Sequence, residues 1–149
     1  MDINGNLKIK KKAFIFDVDG TISNGNGRDF YNPKPEEILA DLPIYPTLEV
    51  LKYLWHPYQI IFLSGREAKF YEPTKTWIKQ HTPVKDPQLY MRKTGDQRKD
   101  CIIKWEIVEK DILPNYDIIA VFDDRKQVID MWLEKGIFVF DVGQGCGNF

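Results

Sequence analysis

Short apolar runs recur along the chain, and three of them lead directly into polar clusters. Ala13-Phe14-Ile15-Phe16 ends at Asp17, Ile60-Ile61-Phe62-Leu63 runs into Ser64-Gly65-Arg66, and Ile118 to Phe122 runs into Asp123-Asp124. Continuous runs of this length between turn signals read as strands buried on both faces. Leu89-Tyr90-Met91 is a shorter strand candidate, and Ile137 to Phe140 is another, placed after Gly136, which suits a helix C-terminus. Helical periodicity fills the intervals. Leu48, Leu51, Leu54 and Trp55 mark a helix over 47–55, Pro73 precedes one over 74–80, and further helices are expected over 99–110 and 128–135. The stretch from Gly20 to Pro46 is broken by glycine and proline and leaves room for one short helix over 36–42. Strands alternating with helices predict an α/β fold with a mostly parallel sheet covered on both faces. Ligands in such folds bind beyond the carboxyl ends of the strands, so the three polar clusters should meet in one crevice.

Composition narrows the class of protein. The 149 residues suit one domain, and 43% hydrophobic content suits a globular chain rather than a collagen-like or disordered one. Twenty-one basic and 22 acidic residues leave a net charge of −1, which argues against a broad basic coat for duplex nucleic acid but permits a local anion site. The two cysteines, Cys101 and Cys146, form neither a disulfide framework nor a zinc spacing, which points to a reducing, cytoplasmic compartment. The apolar run after the basic residues Lys8 and Lys10 to Lys12 is too short for a signal peptide or a membrane span. A basic arm over 1–11 followed by one domain over 12–149 is the expected organisation, with no membrane partner.

The acidic clusters carry the first chemistry. In Asp17-Val18-Asp19-Gly20-Thr21 the two acids flank a residue that turns away, and Asp123-Asp124 brings two more carboxylates to the same crevice. Their mutual repulsion is relieved by a hard divalent cation, and an oxygen-only donor set with room for water and phosphate selects Mg²⁺. Asp100 and Lys104 lie four apart on a predicted helix, hence on one face; taken alone they read as an exposed ion pair. His56 and His81 have no partner pattern, and Trp55, Trp77, Trp105 and Trp132 fit the apolar helix faces, so they read as core rather than as base-stacking platforms.

The run Phe16-Asp17-Val18-Asp19-Gly20-Thr21, Ser64 after a strand, a helical lysine and an Asp pair after another strand resemble the haloacid dehalogenase (HAD) superfamily of phosphotransferases. Asn26-Gly27-Arg28, Ser64-Gly65-Arg66-Glu67, Glu72-Pro73-Thr74-Lys75, Gly95-Asp96-Gln97-Arg98-Lys99-Asp100 and Asp123-Asp124-Arg125 further resemble the 3′-phosphatase domain of bacteriophage polynucleotide kinase/phosphatase enzymes, over nearly the whole chain. The resemblance implies a Rossmann-like HAD fold. It implies Asp17 as the nucleophile that forms an aspartyl-phosphate, Asp19 as general acid and base, and Lys104 as the cation that neutralises nucleophile and phosphate, oriented by Asp100. Thr21, Arg28, Ser64, Gly65, Arg66 and Asp100 fall on the substrate side, and the resemblance assigns Mg²⁺ to Asp17, the Asp19 carbonyl and Asp123, with Asp124 either a direct ligand or acting through water. Arg92, Lys93, Arg98, Lys99 and Arg125 are candidates for a basic rim.

Specificity follows from what is missing. Neither the interval from Asp17 to Ser64 nor that from Ser64 to Lys104 holds a large cap domain, and an open crevice suits a phosphate at the end of a polymer. No GxxxxGK[ST] loop occurs, so no kinase activity is expected. The leading expectation is a Mg²⁺-dependent 3′-phosphatase acting on DNA or RNA ends or on 3′-nucleotides, in nucleic-acid end repair. A broad small-molecule phosphatase or nucleotidase and a non-catalytic binding module are the rival readings.

Overall fold

The computed structural model describes residues 3–5, 7 and 9–143. Lys8 of the expected basic arm and Cys146 lie outside the described residues.

Five strands form one parallel sheet: β1 (Lys11–Phe16), β4 (Gln59–Glu67), β5 (Gln88–Arg92), β6 (Tyr116–Asp123) and β7 (Val139–Asp141), in the order β5-β4-β1-β6-β7. The chain first winds outward from β1 through β4 to β5, then returns to the other side of β1 through β6 to β7. The winding therefore reverses between β1 and β6, which is where open α/β sheets open a ligand crevice. A second, two-stranded antiparallel pair joins β2 (Ser23–Asn24) to β3 (Leu42–Pro43), a short element with no apolar periodicity to announce it.

Side-chain alternation sorts the core into two layers. Phe14, Phe16, Ile60 and Phe62 face helices α2 (Tyr45–Leu54) and α3 (Tyr71–His81), meeting Leu48, Leu51, Trp77 and Ile78. Ala13, Ile15, Ile61 and Leu63 face the opposite way and meet Val108, Val128 and Trp132, from the segment that begins with α4 (Asp100–Ile107) and from α5 (Lys126–Glu134). Phe16 stacks on Phe122 at 4.4 Å between ring centroids, directly beneath the ends of β1 and β6.

Every helix and sheet strand expected from periodicity is present, with shifted ends. The first short helix, α1, runs over Pro35–Leu39, and α3 starts two residues before Pro73, which sits in the first turn where its missing N–H is harmless. The helix expected over 99–110 divides into α4 and a π-helical turn, Val108–Ile112, whose wider winding is closed by the Leu113 amide donating to the Val108 carbonyl. Gly136 follows α5 at φ 75°, a left-handed conformation suited to glycine. One core assignment needs correction. Trp77 and Trp132 are buried, but Trp55, at the C-terminal end of α2, is 38% exposed and meets His56 edge-on. Trp105 is half-buried beneath the Lys135 ammonium.

Among the described residues no large cap domain rises over the sheet, and no helix is long and apolar enough to cross a membrane. Truncating Ile61, fully buried on the interior strand β4, should cost about 2–5 kcal/mol through lost transfer energy and a cavity. Urea unfolding of Ile61→Ala measures this, and a loss below about 1 kcal/mol would show that the layer collapses around the gap.

Candidate active site

Asp17 follows β1 immediately, and its backbone N–H donates to the Phe122 carbonyl at 3.0 Å, which ties the turn to β6. Asp123 is the last residue of β6. The two carboxylates therefore stand at adjacent strand ends, at the reversal of the winding. Lys104 reaches them from α4. Its Nζ donates to Asp17 Oδ1 at 2.8 Å and to Asp123 Oδ2 at 3.0 Å, and the side chain is only 2% exposed. Thr21 Oγ1 donates to Asp17 Oδ2 at 3.0 Å and to Asp124 Oδ1 at 3.3 Å. Trp132 Nε1 donates to Asp123 Oδ2, and the Asp124 amide donates to Asp123 Oδ1. Gly20 makes this closeness possible: at φ 80° it adopts a turn that side chains disfavour, and a Cβ there would lie 2.0 Å from Asp124 Oδ2.

Asp19 belongs to a second cluster. Arg66 Nε and Nη2 grip its two carboxylate oxygens at 2.8 and 2.7 Å, and Arg28 Nη2 lies at 3.5 Å. Behind both arginines stands Asp41. It accepts from Arg28 Nε at 2.6 Å and Nη2 at 2.9 Å, and from Arg66 Nη2 at 2.8 Å, with its side chain 1% exposed. Arg66 is completed by Thr74 Oγ1 at 3.0 Å. Two acids and two bases thus close an alternating ring whose fixed fork geometry orients Asp19 toward the crevice. Sequence reasoning missed Asp41. It lies in the Pro-rich stretch with no motif around it, and only the β2–β3 pairing brings it beneath Arg28.

The third cluster surrounds Asp100. Its carboxylate is engaged by Arg92 and Arg125, while Lys104 directs its ammonium to Asp17 and Asp123. A Cβ on Gly65 would fall 2.5 Å from Asp100 Oδ1, so glycine permits β4 and α4 to approach. Ser64 is fully buried and its Oγ accepts from the Arg66 amide. Of the rim candidates, Arg92 and Arg125 are committed to Asp100, and Arg98 pairs with Asp96 and Glu106. Lys99 is exposed and takes part in no ion pair among the described residues.

The three clusters line one crevice of about 860 Å³. Burial raises the pKa of Asp17 well above the ordinary carboxylate value, and Asp123 and Asp124 add to that against the pull of Lys104. Burial raises Asp124 as well. Burial works against charge on Lys104, but Asp123 and Asp17 outweigh it and hold the ammonium protonated. At Asp100 burial is likewise outweighed, by Lys104, Arg125 and Arg92, and its pKa is lowered. Oxygen atoms of Asp17, Asp123 and Asp124 lie within 4.8 Å of one another, so three carboxylates face one ammonium. This surplus of hard, negative oxygen donors fits a small divalent cation such as Mg²⁺. The Asp19 side chain, held by Arg66, is outside that donor group.

A model of the polynucleotide kinase PNKP phosphatase domain matches residues 11–149. The chain belongs to that family. A putative bifunctional polynucleotide kinase/RNA ligase of Autographa californica nuclear polyhedrosis virus is 34% identical over 134 residues, 88% of this chain but 19% of the relative. Two solved structures of a Pnkp1/Rnl/Hen1 complex, one described as an RNA repair complex, contain a chain that is 40% identical with TM-score 0.81. Each comparison covers 89% of this chain and less than half of the other, 46% and 42%. A class C acid phosphatase from Bacillus anthracis shares the fold, with TM-score 0.59 at 15% identity over 93% of this chain. This PNKP phosphatase domain therefore has the HAD fold.

The electrostatics of this domain predict a pH-dependent response to cations. Groups with raised folded-state pKa, as at Asp17 and Asp124, contribute stability at low pH that is lost as pH rises through those values. A cation at the three acids reverses the cost of ionising Asp17 and Asp124, and protons compete for their oxygens. Adding Mg²⁺ should therefore raise the thermal midpoint more at about pH 8 than at about pH 5, and Asp123→Asn should weaken the response. Scanning calorimetry reads this directly; an equal rise at both pH values would remove the cation from these carboxylates.

Proposed function

We propose that this chain is a Mg²⁺-dependent phosphomonoesterase that removes 3′-phosphates from polynucleotide ends or 3′-nucleotides through an aspartyl-phosphate on Asp17. The observation that carries the proposal is the buried Asp17 carboxylate, held by Lys104 and Thr21 at the floor of an uncapped crevice in a chain of the PNKP phosphatase family. We take residues 12–149 as the phosphatase domain and residues 1–11 as a basic arm.

Each residue has a task in this reading. Thr21 and Lys104 hold the Asp17 carboxylate in one orientation, so an incoming phosphorus meets a positioned oxygen. Asp17 attacks in line, the bond from phosphorus to the leaving 3′ oxygen breaks, and Asp19 gives that oxygen its proton. Asp19 then takes a proton from the water that opens the acyl-phosphate, which frees inorganic phosphate and restores Asp17. Arg66, Arg28 and Asp41 aim Asp19, and the same arginines stand as the phosphate-side cations, with Ser64, Gly65 and Asp100 completing that wall. Mg²⁺ held by Asp17, Asp123, Asp124 and the Asp19 carbonyl supplies charge neutralisation for the phosphoryl group. The kinase, ligase and repair-complex names of the relatives support a role in nucleic-acid end repair.

Phosphate release from 3′-phosphorylated DNA and RNA, a 3′-nucleotide and a 5′-nucleotide tests the assignment. The 3′-phosphorylated ends should be turned over fastest, only with Mg²⁺, and Asp17→Asn should lower kcat by about 10³-fold or more. Clear preference for the 5′-nucleotide would replace the proposal with a small-molecule nucleotidase. Asp41→Asn, which leaves the two arginines with one carboxylate in place of two, should lower kcat at least about tenfold with little change in KM. An unchanged kcat would separate the ring from the proton transfer.

A further inference from the structure

Two large rings stand on the rim of the crevice with nothing packed over them. Phe30 is 55% exposed and Tyr31 79%, and they meet each other edge-on at 5.1 Å between centroids. Both line the same crevice as Asp17, Asp19 and Arg28. Neither belongs to the buried core, whose two clusters are built from other residues.

The loop that carries them is firmly tied. Asp29 Oδ1 accepts from the amides of Tyr31 and Asn32 at 2.9 and 3.0 Å, and Arg28 Nη1 donates to the Asp29 carbonyl at 2.9 Å. Pro33, just beyond, is buried. Arg28 is itself clamped on Asp41, so the rings stand at a fixed offset from the residues that orient Asp19. Aromatic faces exposed on a tied rim, two and three residues from a phosphate-side arginine, are suited to stacking rather than to filling space.

We propose that Phe30 and Tyr31 form a stacking platform for the terminal nucleobase of a 3′-phosphorylated strand. The inference rests on the 3′-phosphatase reading above. In a nucleoside 3′-phosphate the base is separated from the phosphate by one sugar, so a phosphate on Asp17 leaves its base near the crevice rim. Stacking is tolerant of base identity, because every base presents a π-face. The platform therefore favours nucleic-acid ends over aliphatic phosphates without selecting a sequence. Lys99, which lines the same crevice and takes part in no ion pair among the described residues, complements the backbone phosphate of the preceding nucleotide.

The test compares a 3′-phosphorylated oligonucleotide with the same strand ending in an abasic 3′-phosphate. Phe30→Leu and Tyr31→Leu keep apolar bulk and remove the aromatic face. On the normal strand the double variant should raise KM about 5- to 150-fold with kcat nearly unchanged. On the abasic strand the wild type should already show the raised KM, and the variant should match it. Equal KM for the two strands in the wild type, or an equal effect of the variant on both, overturns the platform. Failure of the wild type to release phosphate from either strand overturns the 3′-phosphatase reading and the platform with it.

Discussion

The Lys104 ammonium is the interaction on which this site depends. A parallel sheet brings its strand ends together, and here two of those ends carry Asp17 and Asp123, both buried. Side by side without compensation, two buried carboxylates repel each other and lack the hydration they lost. A single buried cation from α4 bonds both, at 2.8 and 3.0 Å, so the carboxylates remain where the backbone puts them. The same bond fixes α4 against the sheet, and Asp100, one turn earlier on that helix, is thereby set between Arg92 and Arg125. One ammonium thus organises charge on both sides of the crevice floor.

Much of this was legible in the sequence, because the site sits where short-range signals are strong. Apolar runs ending in Asp17, Ser64 and Asp123 mark strands and their carboxyl ends together, and the four-residue spacing of Asp100 and Lys104 marks one helix face. Asp41 left no such trace. Its role depends on the β2–β3 pairing, a contact of two residues per strand that no periodicity reveals. The partners of Asp100 were hidden for a similar reason. Arg92 and Arg125 end a strand and begin a helix far apart in sequence, and only the sheet order brings them to one carboxylate. Trp55 misled because helical spacing shows which face a residue occupies but not whether the helix still contacts the core at its last turn.

Arg28 and Arg66 gained a different character from the structure. The family resemblance assigns them to the substrate; the geometry shows their forks already engaged with Asp41 and Asp19. A buried, hydrogen-bonded ring of alternating charge is costly to open, and it resists collapse onto an incoming anion. In the reaction proposed above, Asp19 therefore meets its substrate from a preset position, and the arginines act on the phosphate without abandoning their partners.

The two-stranded β2–β3 pair joins Asn24 to Leu42, closing the base of the intervening segment like a clasp. Everything between these residues lies outside the sheet that ends at Asp17 and Asp123, and Arg28 and Asp41 near its roots reach back to the site through their side chains. Loop-closure entropy grows only slowly with length, so such a segment tolerates insertion and replacement while its anchored ends stay still. Length can therefore change within this one excursion without displacing the strand ends that carry Asp17 and Asp123.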